Sequence, residues 1–242
     1  LAGRSLTFPF IAGSLLLTSC GAGGGSKSAE KSGTPDTSAT VSFTYGTDGG
    51  KNYDPASAGN QFVPVFLYPV YDRLFDLDEE GQPVPMLAES VEMSADNLTM
   101  TLKLRKDVKF HDGAVFDANA VKANIERGKT LETSTIKADL ASIDSVEVID
   151  DSTVAFKLNA PDGALQSLLA DRAGMMVSPD ALDNPDLDLM PVGAGPFKVV
   201  ADDPGVKVTY ERFDDYWGDN SKQPKTLEIQ VQIDTDARLR SI

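Results

Sequence analysis

Apolar and polar residues alternate in several short segments of this chain, and such alternation is typical of β-strands with one buried face. The period of two extends over residues 41–45, 98–104 and 226–233. The first of these segments runs into residues 46–50, where glycines and short polar residues favour a loop. We therefore predict three strands, the first of which ends in a polar loop.

Two further pairs of alternating segments flank short turns. Residues 144–149 and 153–158 form one pair, and residues 197–200 and 206–210 form the other. The intervening residues are rich in Asp, Ser, Pro and Gly, which favour the backbone angles of tight turns. Each pair therefore predicts a β-hairpin.

Helical spacing of apolar residues predicts three helices before the last predicted strand. Residues 61–75 are apolar and aromatic but contain Pro64 and Pro69, so we predict a kinked helix that ends near Phe75. Residues 161–169 begin with a proline and carry three leucines, which predicts a second short helix.

The third predicted helix follows Asp117, whose carboxylate suits the capping position before a helix. It runs from Ala118 to about Arg127, with Val121 and Ile125 on one face.

The N-terminal residues predict a lipid anchor. An apolar run over residues 6–17 is shorter than a membrane span and is followed by two small residues and Cys20, the only cysteine of the chain. This order is typical of a lipoprotein signal peptide, here 1–19, with lipid attached to the Cys20 thiol. A buried core thiol is the alternative, but the glycine-rich residues that follow favour a flexible linker over 20–40.

The charge of the chain excludes one class of partner. With 37 acidic and 22 basic side chains, the formal net charge is -15, so nucleic acid is a poor ligand because its binding depends on cationic side chains. A hydrophobic content of 41% is sufficient for a packed core.

Candidate chemistry is sparse. His111 is the only histidine, and we interpret it as part of a structural turn, because metal sites need several convergent ligands and no G-x-S-x-G motif supplies a nucleophile. Residues 193–196 lack the lysine of a phosphate loop, and we interpret them as a tight crossing segment. Tyr216 and Trp217 suit either a stacking platform or ordinary packing. We predict no catalytic residue, no metal site and no cofactor.

Longer motifs resemble a known family, the bacterial extracellular solute-binding proteins of family 5, which are the oligopeptide-, dipeptide- and nickel-binding components of ABC importers. The central motifs are residues 87–92, 94–105, 108–113 and 116–121. Supporting matches are Tyr53-Asp54-Pro55, Val70-Tyr71-Asp72-Arg73-Leu74, Gly193-Ala194-Gly195-Pro196-Phe197 and Tyr216-Trp217-Gly218-Asp219.

The resemblance implies an α/β, periplasmic-binding-protein-like two-lobe fold, of which this chain holds the first lobe and its inserted subdomain. The first-lobe core is expected over 41–59 and 186–242, and the inserted subdomain over 60–185. The second lobe would be absent, together with the acidic residue that pairs with the amino terminus of a peptide ligand. A helix predicted to start at Asp236 has too few residues before Ile242 to be stable, so we expect the natural chain to continue.

The resemblance implies that the protein captures a small solute outside the membrane and delivers it to an ABC permease. A peptide is the favoured solute, and no reaction would be catalysed. The protein would be extracytoplasmic and held at the cell membrane by its lipid. A receptor for nickel complexes or another non-peptide solute is an alternative. A surface hydrolase or a signalling or adhesion lipoprotein are alternatives from other classes.

The candidate ligand-binding residues are Gly46, Thr47, Asp48 and Gly49. These residues follow the first predicted strand, where members of the family contact their ligand. Their glycines would allow the ligand to lie close to the backbone. An ordinary solvated turn explains the same composition, and both interpretations stay open.

Overall fold

The computed structural model of the chain describes residues 35–47, 52–59 and 64–234. The predicted signal peptide, Cys20 and most of the predicted linker lie outside these ranges. Asp48, Gly49 and the helix predicted from Asp236 also lie outside them.

Strands dominate the described residues, and the helices are few and short. In chain order the elements are β1 (Thr40–Tyr45), α1 (Pro64–Leu67), β2 (Phe75–Leu77), β3 (Pro83–Pro85), β4 (Ala88–Met93), β5 (Thr99–Leu104), α2 (Ala118–Thr130), β6 (Ile143–Asp150), β7 (Thr153–Leu158), α3 (Leu165–Leu168), β8 (Phe197–Asp203), β9 (Lys207–Arg212) and β10 (Thr226–Val231). Two 3-10 turns, Arg172–Gly174 and Pro179–Ala181, lie between α3 and β8.

One four-stranded sheet joins the two ends of the described chain. Its order is β1-β10-β9-β8, in which β1 runs parallel to β10 and the other neighbours are antiparallel. Tyr210 on β9 and Ile229 on β10 are fully buried on the inner face of this sheet. Their hydrophobic cluster also includes Phe66, Leu67 and Val70, so α1 and the residues after it cover this sheet.

A second four-stranded sheet is built from neighbouring hairpins. Its order is β4-β5-β7-β6, and every pair is antiparallel. Helix α2 packs against it and buries Val121 and Ile125, the two residues predicted to share its inner face. The carboxylate of Asp117 accepts a hydrogen bond of 2.8 Å from the backbone N–H of Ala120, which confirms the predicted cap.

The helix predicted over 61–75 is wrong for most of this range. Of the described residues in this range, only Pro64–Leu67 is helical, and Phe75 begins strand β2. Proline suits the first helical position, as Pro64 does, but Pro69 has no N–H to donate within a helix and interrupts it. The carbonyl group of Pro69 instead accepts a hydrogen bond of 2.9 Å from the N–H of Phe197, where β8 begins.

Candidate functional site

The carboxyl ends of two parallel strands meet at one edge of the first sheet. Tyr45, the last residue of β1, lies opposite Val231, the last residue of β10. The N–H of Gln232 donates a hydrogen bond of 2.8 Å to the Tyr45 carbonyl group, and the next side chain, Ile233, is 70% exposed. Ligands of open α/β sheets bind outside the carboxyl ends of parallel strands, so this edge is the candidate site.

Two of the four predicted ligand-binding residues lie at this edge. Gly46 and Thr47 directly follow β1, and both are partly exposed. Asp48 and Gly49 lie outside the described residues, so their position relative to Thr47 stays a prediction. The described geometry brings Gly46 and Thr47 to the same edge as Gln232 and Ile233.

An aromatic pair fixes Tyr45, the residue directly before the loop. The Tyr45 ring meets the Phe66 ring edge to face, with centroids 5.8 Å apart and planes at 86°. Phe66 is 3% exposed, and its carbonyl group accepts a hydrogen bond of 3.1 Å from the buried Tyr210 hydroxyl. Helix α1 is therefore fixed to both β1 and β9. Sequence reasoning missed this pair because the two residues share no local pattern.

The chain beyond the loop is tied to helix α2 by a buried ion pair. Arg127 donates two hydrogen bonds, of 2.9 and 2.8 Å, to the two oxygens of Asp54, which is 4% exposed. Asp54 also accepts 3.0 Å bonds from the N–H of Ala56 and the hydroxyl of Ser57. A groove of about 340 Å³ lies beside this pair. The residues on both sides of the candidate loop are thus held in place, at Tyr45 and at Asp54.

His111 is a structural residue, as its sequence context predicted. The N–H of Gly193 donates to Nδ1 at 3.4 Å, and Nε2 lies 2.9 Å from the carbonyl oxygen of Gly195, so the neutral ring carries its proton on Nε2. Its ring also meets the Phe213 ring edge to face at 5.1 Å. Burial lowers the pKa of His111 to about 4. Both ring nitrogens are occupied by main-chain groups, so neither is available to a ligand.

The residues around His111 do not form a hydrolase triad. The hydroxyl of Ser178, which is fully buried, donates a hydrogen bond of 2.6 Å to Asp112. A triad needs a histidine between the hydroxyl and the carboxylate, yet both His111 nitrogens bond elsewhere. No group of three or more His, Cys, Asp or Glu residues in the described ranges could hold a metal ion.

Residues 193–196 form the predicted tight crossing. A Cβ atom on Gly193 would lie 2.1 Å from the Val70 carbonyl oxygen, and one on Gly195 would lie 2.6 Å from the Val70 carbonyl carbon. The N–H of Gly195 donates a hydrogen bond of 2.8 Å to the Val70 carbonyl group. Only glycine allows two backbone segments to approach this closely. The segment crosses the chain after α1 and then enters β8.

Trp217 is a packing residue. Its side chain packs against the hydrophobic cluster that lies between the second sheet and helix α2. Its Nε1 donates a hydrogen bond of 2.6 Å to Asp72, and the Arg105 guanidinium lies over its ring at 4.6 Å. Of the two interpretations left open by the sequence, the contacts favour packing.

No helix within residues 35–47, 52–59 and 64–234 combines the length and apolar character that a membrane span requires.

Comparison with known proteins identifies relatives of this fold and sequence. The family model for bacterial extracellular solute-binding proteins, family 5 Middle, matches residues 82–242. The glutathione-binding protein GsiB of Pectobacterium atrosepticum is 34% identical over 188 residues, which cover 76% of this chain. GsiB of Escherichia coli K12 is 35% identical over 167 residues, or 68% of this chain. The chain spans 37% and 33% of the length of these two relatives.

Solved structures give the same result. DppA from Helicobacter pylori, in complex with the peptide STSA, superposes with a TM-score of 0.77 at 26% identity, over 84% of this chain and 44% of that one. NikZ from Campylobacter jejuni, in complex with Ni(L-His), superposes with a TM-score of 0.74 at 28% identity, over 86% of this chain and 42% of that one. The fold is therefore an α/β fold that corresponds to part of a periplasmic binding protein. This chain belongs to the family 5 bacterial extracellular solute-binding proteins.

Proposed function

We propose that the protein is the solute-binding component of an ABC importer. It captures a small solute outside the cytoplasm and delivers it to the permease. The observation that carries this proposal is the candidate site itself, where the carboxyl ends of β1 and β10 meet beside a loop that begins with Gly46 and Thr47. Sites of this kind hold a solute through main-chain groups and a few polar side chains.

The proposed solute is a peptide or a peptide-like molecule. Two kinds of similarity support this choice: the curated relatives are named for glutathione, which is built from three amino acids, and DppA was solved with the peptide STSA. The similarity to NikZ with Ni(L-His) supports a metal complex as the alternative. Even that complex contains an amino acid, so an amino-acid backbone is the shared chemistry.

Each residue of the loop has a proposed role. Gly46 and Gly49 let the solute approach the backbone, and Thr47 and Asp48 supply polar contacts. Tyr45 directly precedes the loop, and its ring packs edge to face against the Phe66 ring, so the loop starts from a fixed residue. A residue that does not rearrange reduces the entropy lost on binding.

The chain is proposed to divide into a first-lobe core, 41–59 with 186–242, and an inserted subdomain, 60–185. Two observations support this division. The strands of the first sheet all come from the first-lobe ranges, whereas β4, β5, β6 and β7 all come from the inserted range. A second lobe, contributed by further chain, would close over the solute and exclude water from it.

The protein is also proposed to act without catalysis and to be anchored by lipid on Cys20 after removal of residues 1–19. A surface hydrolase or an adhesion or signalling lipoprotein would use the same fold differently. The relatives are binding proteins by name, which supports transport over these alternatives.

Native mass spectrometry of the protein purified with its bound solute is the decisive experiment. A retained mass that fragments into amino acids is expected. Retention of a metal complex would favour the nickel alternative, and hydrolysis of the offered peptide during incubation would contradict a purely binding role. The added probes are glutathione, a tetrapeptide, and nickel with histidine. The Thr47→Val variant removes one hydroxyl group from the loop, and we expect it to bind the preferred probe more weakly than the wild type does.

A further inference from the structure

One buried acid plays no part in the site described above. Among the described residues, the buried carboxylates are Asp54, at 4% exposure, and Asp72, at 1%. Asp54 faces the guanidinium of Arg127. Asp72 instead accepts hydrogen bonds from two neutral donors, Trp217 Nε1 at 2.6 Å and the Tyr216 hydroxyl.

The nearest charged groups are engaged with other partners. Arg73 pairs with Asp76 at 2.7 Å and lies over the Tyr68 ring at 4.5 Å. On the far side of Trp217, Arg105 donates to the Met86 carbonyl group and stacks on the indole. The open groove next to Trp217 and Arg105 adds Glu89, Lys106 and Asp107, which are two anions and one cation.

A carboxyl group in this setting binds a proton more readily than one in water. Burial raises the pKa of Asp72 to about 7, although the bonds from Trp217 and Tyr216 and the charge of Arg73 oppose that shift. A carboxylate accepts a stronger hydrogen bond than a neutral acid does. Proton uptake by Asp72 therefore weakens its bond to Trp217, but it also removes a buried charge. Because burial has the larger effect on the pKa of Asp72, the proton favours the folded arrangement overall.

We propose that Asp72 is a proton-binding site through which the pH outside the cell sets how tightly the connection between β9 and β10 is held to the rest of the fold. Trp217 lies in that connection, and β10 carries on from it to the candidate site. The proton comes from solvent and adds to one carboxylate oxygen. Opening of the connection would let water reach the carboxylate, so the connection is held more firmly when Asp72 is protonated and is looser when Asp72 is ionised.

The only tryptophan of the chain reports this event directly. Fluorescence emission of the 242-residue chain is recorded from about pH 5 to about pH 9, which brackets the pKa of Asp72. Because a negative charge beside the indole nitrogen stabilises the excited state, the emission should move to longer wavelength as pH rises, with a midpoint near pH 7. No solute is needed, so the result is independent of the proposed transport function.

Three variants make the assignment specific. Asp72→Asn should abolish the transition. Tyr216→Phe removes a donor to the carboxylate and should raise the midpoint, whereas Asp76→Asn removes a nearby negative charge and should lower it. A flat wild-type profile, or a transition that survives in Asp72→Asn, would overturn the proposal. If Asp72→Asn does not fold, unchanged midpoints in both other variants would overturn it equally.

Discussion

Arg127 on helix α2 donates hydrogen bonds to both carboxylate oxygens of Asp54, at 2.9 and 2.8 Å. Because α2 packs against the second sheet, this pair connects the chain after the candidate loop to that sheet. The pair is largely removed from water, with side-chain exposures of 20% for Arg127 and 6% for Asp54. Breaking a buried pair costs far more than its net contribution suggests, because one charge is left buried without a partner.

Replacing Arg127 with alanine should therefore destabilise the fold by about 3–5 kcal/mol. Lys122→Ala on the same helix is the matched control. Its pair with Glu126 is exposed, at 3.6 Å, and its loss should cost less than about 0.5 kcal/mol. Urea unfolding of both variants measures the difference. Equal midpoints for the two variants would show that the Asp54 carboxylate is not anchored by Arg127 in solution.

His111 should make stability fall in acid. Its pKa is about 4 in the folded protein and about 6.5 in an unfolded chain, so the unfolded state binds more protons between these values. The contribution of His111 is thus complete above about pH 6.5 and is lost as pH falls toward 4. The shift corresponds to about 3 kcal/mol at most.

Asp72 acts with the opposite sign over much of the same range, because burial raises its pKa in the folded protein to about 7, above the ordinary value of 3.8 for an aspartic acid in water. The folded state then holds the extra proton, and the Asp72 contribution falls as pH rises through about 7. The His111 effect must therefore be read as the difference between wild type and His111→Gln in urea unfolding at several pH values. A difference that does not change with pH would contradict the prediction.

Gly195→Ala should destabilise the crossing of residues 193–196 over Val70. The added methyl group would lie 2.6 Å from a backbone carbon, which cannot move aside as a flexible side chain could. A cost of about 1–3 kcal/mol or more is expected from such overpacking. Gly163→Ala is the control, since nothing lies within 4 Å of its Cβ position. Thermal unfolding should separate the two variants by several degrees.

The lipid anchor is tested with Cys20→Ala. Metabolic labelling with a fatty-acid analogue should tag the wild-type protein, and the variant should lose both the tag and its retention in the membrane fraction, because Cys20 supplies the only thiol. A Ser19→Ala variant keeps the thiol and a small residue before it, and should retain the label. Labelling that persists in Cys20→Ala would disprove attachment at this residue.

Features encoded by neighbouring residues were predictable from the sequence. Alternation located β1, β5 and the strands of both hairpins, and Asp117 located the start of α2. Strands β2 and β3 were missed because three residues are too few to show a period. The predicted helix over 61–75 failed since helical spacing alone does not weigh the main-chain partners that Pro69 and Val70 find near β8.

The candidate site was half predictable. The polar loop after β1 is visible in the sequence, and its position at a strand end follows from the alternation before it. The Tyr45–Phe66 and Asp54–Arg127 contacts join residues from separate elements. A single sequence contains no signal that pairs them, because each residue alone also suits an exposed or differently buried position.

The parallel pairing of β1 with β10 also bears on how the molecule is assembled. Ser42 and Glu228, opposite each other on these strands and joined by a 2.9 Å hydrogen bond, are 186 residues apart in the chain. Strand β1 emerges from the ribosome long before its partner, whereas β4 through β7 can pair with strands made close to them in time. Since distant contacts form slowly, the second sheet should fold first, and the edge proposed to bind the solute should be the last part of the molecule to be completed.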